Sequence, residues 1–199
     1  MSEAAENTRC GFVALIGAPN AGKSTLLNAL VGAKVSIVSR KVQTTRALVR
    51  GIALEGDAQI IFVDTPGIFA PKRRLDRAMV TSAWGGAGDA DVVALLVDSK
   101  KGIDAEVEAI LERLKDAPRK KVLVLNKIDL IPRENLLALA QDLNARCAFA
   151  ETFMVSAAKG DGVAHLRKQL ASLMKAGPWL YPEDQVSDAP LRSLAAEIT

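Results

Sequence analysis

The chain has 199 residues, of which 49% are hydrophobic and 25% are charged, and its formal net charge is +3. This composition predicts a folded domain with a real core, and the charge is too small to indicate a nucleic-acid-binding protein by itself. Two cysteines without metal-ligand spacing favour reduced thiols, and no apolar run approaches the ~20 residues of a membrane-spanning helix. We therefore expect a soluble, cytoplasmic protein.

Apolar runs of strand length alternate with segments of helical period along the chain. The predicted strands lie near 11–16, 47–54, 59–63, 92–97, 122–126 and 152–155, and the predicted helices near 23–31, 73–84, 104–115, 133–144 and 163–175. This alternation predicts an α/β fold, a doubly wound and mostly parallel six-stranded sheet that binds its ligand at the carboxyl ends of the strands.

The composition changes after residue 176, which suggests a domain boundary. Residues 1–8 are expected to be a flexible N-terminus and residues 9–176 the nucleotide-binding domain. Residues 177–199 begin with Gly-Pro and are interpreted as a linker and the start of a short amphipathic helix. Because that helix has nothing obvious to pack on, we expect a second domain to be missing from this chain.

The first motif along the chain is a phosphate-binding loop. Residues 17–25, GAPNAGKST, fit the pattern G-x-x-x-x-G-K-[ST] between a predicted strand and a predicted helix, which disfavours the alternative of a plain glycine-containing turn. Backbone N–H groups and the helix N-terminus attract phosphate oxygens, while Lys23 can reach the β- and γ-phosphates and Ser24 can ligate Mg²⁺. The nine residues predicted to bind a nucleoside triphosphate are Gly17, Ala18, Pro19, Asn20, Ala21, Gly22, Lys23, Ser24 and Thr25.

The polar stretch 36–46 is interpreted as a nucleotide-sensitive loop, switch I. It contains the tandem threonines Thr44 and Thr45, one of which is expected to close on Mg²⁺ when the γ-phosphate is present. We prefer Thr45, and Thr44 stays open. The alternative is an ordinary surface loop.

A second candidate metal and phosphate element follows the strand predicted over 59–63. It is Asp64-Thr65-Pro66-Gly67, in which Asp64 can hold Mg²⁺ through a water and Gly67 can offer its N–H to the γ-phosphate. The same four residue types are also common in ordinary turns, which is the alternative interpretation. The phosphate-binding loop upstream favours the functional interpretation.

The run Asn126-Lys127-Ile128-Asp129 indicates which base is bound. A carboxylate at Asp129 can accept two hydrogen bonds from guanine N1–H and the 2-amino group, a donor pair that adenine lacks. The stem of Lys127 can cover the base plane, and Asn126 can either donate toward N7 or tie its loop to the phosphate-binding loop. Because Ser156-Ala157-Ala158-Lys159 follows the next strand, the N–H of Ala157 or Ala158 can meet guanine O6. These elements predict a guanine nucleotide, GTP or GDP.

These five elements in this order resemble the translation-factor-type GTPases. The runs SIVSRKVQTTR (36–46), DTPGIFAPKRRLDRAM (64–79) and YPEDQVSDAPLRSLAAEIT (181–199) narrow the resemblance to the bacterial GTPases of small-ribosomal-subunit maturation, from about residue 9 to residue 199. The resemblance implies a Ras-like P-loop G domain that hydrolyses GTP to GDP and phosphate with Mg²⁺. It also implies a monomeric switch in 30S subunit assembly and 16S rRNA maturation, with rRNA bound mainly by an absent KH domain and with peripheral association at the inner membrane.

Catalysis in such a domain is expected to consist of positioning and charge neutralisation. The candidate catalytic residues are Lys23, Thr45, Gly67 and Asn20, and the candidate metal ligands are Ser24, Thr45 and Asp64. Ile68 stands where a Ras-like enzyme has its water-orienting glutamine, so we expect slow turnover. Related GTPases with an asparagine at the position of Asn20 bind K⁺, which makes K⁺ stimulation a hypothesis and a loop-shaping residue its alternative.

Two other functions stay open. One is a nucleotide-dependent docking module with negligible turnover, which Ile68 favours. The other is a related GTPase that serves tRNA modification or large-subunit assembly, against which the run 181–199 argues. An ATPase is the least favoured, because Asp129 would face no matching donors on adenine.

Overall fold

The computed structural model describes residues 8–32, 49–64 and 90–183, and its elements are numbered here in chain order within those ranges. The strands are β1 (Arg9–Gly17), β2 (Val49–Glu55), β3 (Ala58–Asp64), β4 (Val92–Asp98), β5 (Lys120–Asn126), β6 (Glu151–Val155) and β7 (Lys175–Ala176). The helices are α1 (Lys23–Val31), α2 (Ala105–Lys115), α3 (Arg133–Arg146) and α4 (Val163–Ser172), with a 3-10 helix at Ile128–Leu130. The helix predicted over 73–84 and the predicted switch I lie outside the described residues.

The strands form one sheet in the order β2-β3-β1-β4-β5-β6. The pairs β1–β3, β1–β4, β4–β5 and β5–β6 are parallel, and β2–β3 is antiparallel. In register, Leu15 lies opposite Asp64 and Asp98 lies opposite Asn126. The carboxyl ends of the parallel strands therefore meet at one edge, and the predicted α/β, mostly parallel fold is confirmed.

Helices cover both faces of this sheet. Successive strand residues point to opposite faces, so Val13 and Leu15 enter a core with α1 and α4, while Ala14 and Ile16 enter a second core with α2 and α3. All seven residues of β4 are buried, as expected of a strand that is covered on both sides. The doubly wound arrangement is confirmed. Within the described ranges, none of the helices is long and apolar enough to cross a membrane.

The prediction of a helix over 163–175 is wrong at its end, and the sheet has one more strand than the six predicted. Helix α4 stops at Ser172, and β7 pairs antiparallel with Arg9 and Cys10 of β1. The physical reason is that β4 pairs with β1 only from Val13 onward, so the first residues of β1 leave a backbone edge for β7 to fill. Lys175 also donates to Asp91 Oδ1 at 2.7 Å, which holds the strand in place.

Residues 177–183, here called the C-terminal strap, lie in the predicted linker and are bound to the sheet. Gln59 is 0% exposed, and its Nε2 donates to Tyr181 O at 2.8 Å. Its Oε1 accepts from the N–H groups of Leu180 and Tyr181 at 2.8 and 3.0 Å. A buried amide is costly without partners, so Gln59 and the strap stabilise each other. Gly177 N–H also donates to Thr8 O at 2.9 Å.

Replacing Gln59 with leucine should release the strap. The change removes three hydrogen bonds of similar geometry, and we expect the free energy of unfolding to fall by about 1–3 kcal/mol. Hydrogen exchange at the amides of Leu180 and Tyr181 should become faster, as measured by mass spectrometry. Gln141→Leu on the exposed side of α3 is the control and should leave those amides unchanged. Unchanged exchange in Gln59→Leu would show that another contact holds the strap.

Candidate nucleotide-binding site

The predicted site residues converge at the carboxyl edge of the sheet. The phosphate-binding loop, residues 17–25, connects β1 to α1, and Asp64 is the last residue of β3. Asn126 ends β5, and Ser156 directly follows β6. Parallel strands bring these positions to one edge, which is where open α/β sheets bind ligands.

Two glycines shape the phosphate-binding loop. Gly22 occupies the N-cap of α1 with φ of 99°, and a Cβ at this position would collide with Asn126 Nδ2. A Cβ at Gly17 would lie 2.5 Å from the carbonyl oxygen of Leu96. Because Gly22 has no side chain, nothing of its own competes with a phosphate for the N–H groups at the start of α1.

Lys23 lies inside the loop that it is predicted to serve. The side chain is buried, and its Nζ donates to the carbonyl oxygens of Gly17 and Ala18 at 3.0 and 3.1 Å. The ammonium group is thus held within the curve of the loop backbone, where phosphate oxygens would enter. Of the other predicted loop residues, Ala18 and Ala21 are buried, Pro19, Ser24 and Thr25 are half-buried, and Asn20 is exposed.

Asn126 joins three parts of the site. It is 2% exposed, its Nδ2 donates to Ala21 O at 2.9 Å, and its Oδ1 accepts from the N–H of Ala157 at 3.0 Å. Of the two roles considered for Asn126, the structure therefore shows the tie to the phosphate-binding loop. Ala157 and Ala158 both line the cavity beside Asp129, and the N–H of either one stays a predicted donor to guanine O6.

Asp129 is held as an ionised acceptor beside a cavity. Its Oδ1 accepts from Ser156 Oγ at 2.8 Å, and its Oδ2 lies 3.5 Å from Lys159 Nζ. The Ser156 hydrogen bond holds the pKa of the Asp129 carboxyl below its ordinary value of 3.8, so the group is charged at neutral pH. The cavity has a volume of about 140 Å³. Its lining residues are Gly22, Thr25, Asn126, Lys127, Asp129, Leu130, Ser156, Ala157 and Ala158.

Asp98 is a further charged residue at this edge, and the sequence motifs do not predict its role. Lys127 Nζ donates to Asn20 O at 2.8 Å and forms an ion pair with Asp98 Oδ2 at 2.6 Å. The signal was available, because Asp98 directly follows the apolar run 92–97, just as Asp64 follows the run 59–63. Asp98 also lies opposite Asn126 in the sheet register, which places it next to the base-binding run.

Part of the predicted site lies beyond the described residues. Thr44, Thr45, Gly67 and Ile68 fall outside them, and Asp64 is placed only through its backbone, at the end of β3. The Mg²⁺ ligands Ser24, Thr45 and Asp64 therefore remain a prediction. The phosphate-binding loop fits a phosphate, the group that Mg²⁺ would accompany, because the Lys23 ammonium lies inside the curve of the loop.

Known proteins resemble this chain in sequence. The family model described as 50S ribosome-binding GTPase matches residues 12–127. GTPase Era from Afipia carboxidovorans is 69% identical over 99% of this chain, and GTPase Era from Bradyrhizobium diazoefficiens is 68% identical over 99%. The chain spans 64% of the length of each of these two relatives.

Solved structures agree with the sequence relatives. A crystal structure of Era in complex with MgGDPNP and nucleotides 1506–1542 of 16S ribosomal RNA has a TM-score of 0.90 and 41% identity, covering 96% of this chain and 65% of that chain. A bacterial selenocysteine-specific elongation factor, EF-Sec, has a TM-score of 0.65 at 22% identity over 83% of this chain and 28% of its own, which shows the fold alone. The chain therefore belongs to the 50S ribosome-binding GTPase family, and within that family it resembles GTPase Era.

Proposed function

We propose that this chain binds and hydrolyses GTP as the nucleotide switch of a small-subunit ribosome assembly factor. The observation that carries the proposal is the tie made by Asn126, which joins the phosphate-binding loop to the cavity beside Asp129 through two hydrogen bonds of 2.9 and 3.0 Å. The phosphate-binding loop and the cavity beside Asp129 are thereby held in place relative to each other. The ionised Asp129 matches the donor pair of guanine and has no matching pair on adenine.

The chemistry proposed for this site is charge neutralisation. Lys23 and the loop N–H groups would stabilise negative charge that develops between the β- and γ-phosphates. Mg²⁺, when bound, supplies further positive charge to the phosphate oxygens, and Ser24, Asp64 and Thr45 are the residues proposed to hold it. Because Ile68 can neither donate nor accept a hydrogen bond, we expect slow intrinsic turnover.

The proposed client is the small ribosomal subunit and its 16S rRNA. The support is the Era relative that was crystallised with nucleotides of 16S ribosomal RNA, at 41% identity to this chain. The rRNA would be contacted mainly by a C-terminal KH domain, while the domain described here acts as a monomer. A cytoplasmic location with peripheral association at the inner membrane is part of the same proposal.

Hydrolysis should be faster in K⁺ than in Na⁺ if Asn20 helps to place a monovalent cation. Asn20 is exposed at the tip of the loop with φ of 63°, so its side chain can reach solvent near the phosphates. We expect at least about a tenfold difference, because a positive charge fixed beside the transition state has a large effect. Phosphate release is measured in both salts for the unchanged chain and for Asn20→Ala, which should lose the difference. Equal rates in both salts reject the cation role of Asn20.

The client is tested by adding small subunits, large subunits and bulk tRNA in separate reactions. The proposal expects small subunits, and neither of the others, to change GTP turnover or to bind in a GTP-dependent manner. A response to large subunits alone, or to tRNA alone, would instead support one of the related GTPase functions. Tight GTP binding with no turnover in any reaction would make the chain a docking module.

A further inference from the structure

We propose that Asp98 is a positioning residue for the nucleotide site, which holds the Lys127 ammonium against the phosphate-binding loop and so fixes the lysine stem along the base cavity. This inference rests on the proposed function, because it requires that the cavity beside Asp129 receives guanine. Asp98 itself does not line that cavity, whereas Lys127 does. The side-chain contact by which Asp98 would act on the base is therefore the one with Lys127.

The surroundings of Asp98 are suited to hold a charge in place. The residue is 8% exposed, its Oδ2 contacts Lys127 Nζ at 2.6 Å, and its Oδ1 accepts from the N–H of Lys100 at 3.0 Å. Its own carbonyl oxygen accepts from Lys101 and Gly102 at 3.1 and 3.0 Å, which fixes the backbone. Both carboxylate oxygens are thus partnered, and the Asp98 side chain is 9% exposed while that of Lys127 is 32% exposed, so the pair is partly shielded from solvent and salt.

The ammonium that Asp98 holds connects two unusual backbone positions. In the part of the chain that the structure describes, Asn20 and Lys127 are the non-glycine residues with positive φ, at 63° and 64°. Such conformations persist where the surroundings fix them. Lys127 Nζ donates to Asn20 O at 2.8 Å and thereby links the two positions. Asp98 supplies the negative charge that keeps this link in place.

The expected role of Asp98 follows from where the Lys127 ammonium group would go without it. Without Asp98, an ammonium group on a flexible stem would be drawn to solvent or to the nucleotide phosphates, and its stem would leave the base cavity. The loop tip at Asn20 would lose its hydrogen bond at the same time. Nucleotide would then bind to a less ordered site and leave it faster.

The test compares two aspartates at opposite ends of β4, Asp91 just before the strand and Asp98 as its last residue. Asp98→Asn keeps the shape of the side chain and removes its charge, and we expect fluorescent GDP to dissociate about tenfold faster in a stopped-flow experiment. Asp91→Asn is the matched control, because Asp91 precedes β4, pairs with Lys175 at 2.7 Å and accepts the N–H of Phe12 at 2.9 Å. Both variants remove one lysine pair, and only Asp98→Asn should change GDP release.

A double-mutant cycle separates positioning from general stability. Lys127→Met should also release GDP faster, and adding Asp98→Asn to it should change the rate no further, since Asp98 acts only through the lysine. The ratio of GDP to inosine diphosphate affinity should stay constant in Asp98→Asn, because the lysine stem covers the base face and the 2-amino group lies at the base edge. Release rates that multiply in the double variant, or an Asp98→Asn rate equal to that of the unchanged chain, would overturn the inference. Failure of the unchanged chain to bind GDP would contradict the proposed function instead.

Discussion

Asp129→Asn is expected to replace the preference for GTP with a preference for xanthosine triphosphate. The carboxylate is predicted to accept from N1–H and the 2-amino group, and loss of two charge-assisted hydrogen bonds should weaken GTP binding by about a hundredfold or more. Xanthine carries an oxygen at the 2-position, which an asparagine amide can donate to. Competition of GTP and xanthosine triphosphate against fluorescent GDP measures this change in nucleotide preference.

The Asp129→Asn variant should remain folded, because an asparagine oxygen can still accept the Ser156 hydroxyl bond of 2.8 Å. Asp142→Asn on α3 is the matched control, since Asp142 is an exposed carboxylate that pairs with Arg146 at 2.8 Å. It should leave both nucleotide affinities unchanged. If GTP binds to Asp129→Asn as tightly as to the unchanged chain, the assignment of the base cavity is wrong.

Asn126→Ala is expected to destabilise the domain and weaken nucleotide binding together. The substitution leaves the buried carbonyl of Ala21 and the N–H of Ala157 without their partner, which should lower the free energy of unfolding by about 2–4 kcal/mol. The phosphate-binding loop and the base cavity would no longer be fixed relative to each other. Denaturant unfolding gives the stability change, and GDP titration at a temperature where the variant is folded gives the affinity.

Asn144→Ala provides a control with the same chemistry at an exposed place. The Asn144 amide donates to Ala140 O and Thr152 Oγ1 at 2.8 and 2.9 Å, and water can replace both contacts. We expect a stability change below about 1 kcal/mol and unchanged GDP affinity. A folded Asn126→Ala variant that binds GDP normally would show that the tie is dispensable. The proposed function would then lose the observation that carries it.

The parts of the site that could be predicted are those that a short run of sequence defines. The phosphate-binding loop and the helix over 23–31 follow from glycines, a lysine and apolar spacing within a few residues, and α1 has the predicted ends. The base-binding run at 126–129 follows a strand whose residues are apolar on both faces. In these segments local propensity and tertiary structure favour the same conformation.

The missed features depend on residues that are far apart in the chain. The end of α4 and strand β7 depend on where β4 begins to pair with β1, at Val13. Asp98 meets Lys127 across 29 positions, and Gln59 meets Tyr181 across 122. The role of Asn126 stayed open for the same reason, because the loop that it contacts lies 105 positions away. Periodicity carries no information about such pairs.

The place where the strap is attached limits how any partner could sense the nucleotide. Gln59 is the second residue of β3 and Asp64 is the last, so about 16 Å of extended chain separate them. The strap is therefore bound at the opposite end of the sheet from the phosphate-binding loop. A partner that contacts the strap would sense the nucleotide through β3, which connects Gln59 to Asp64.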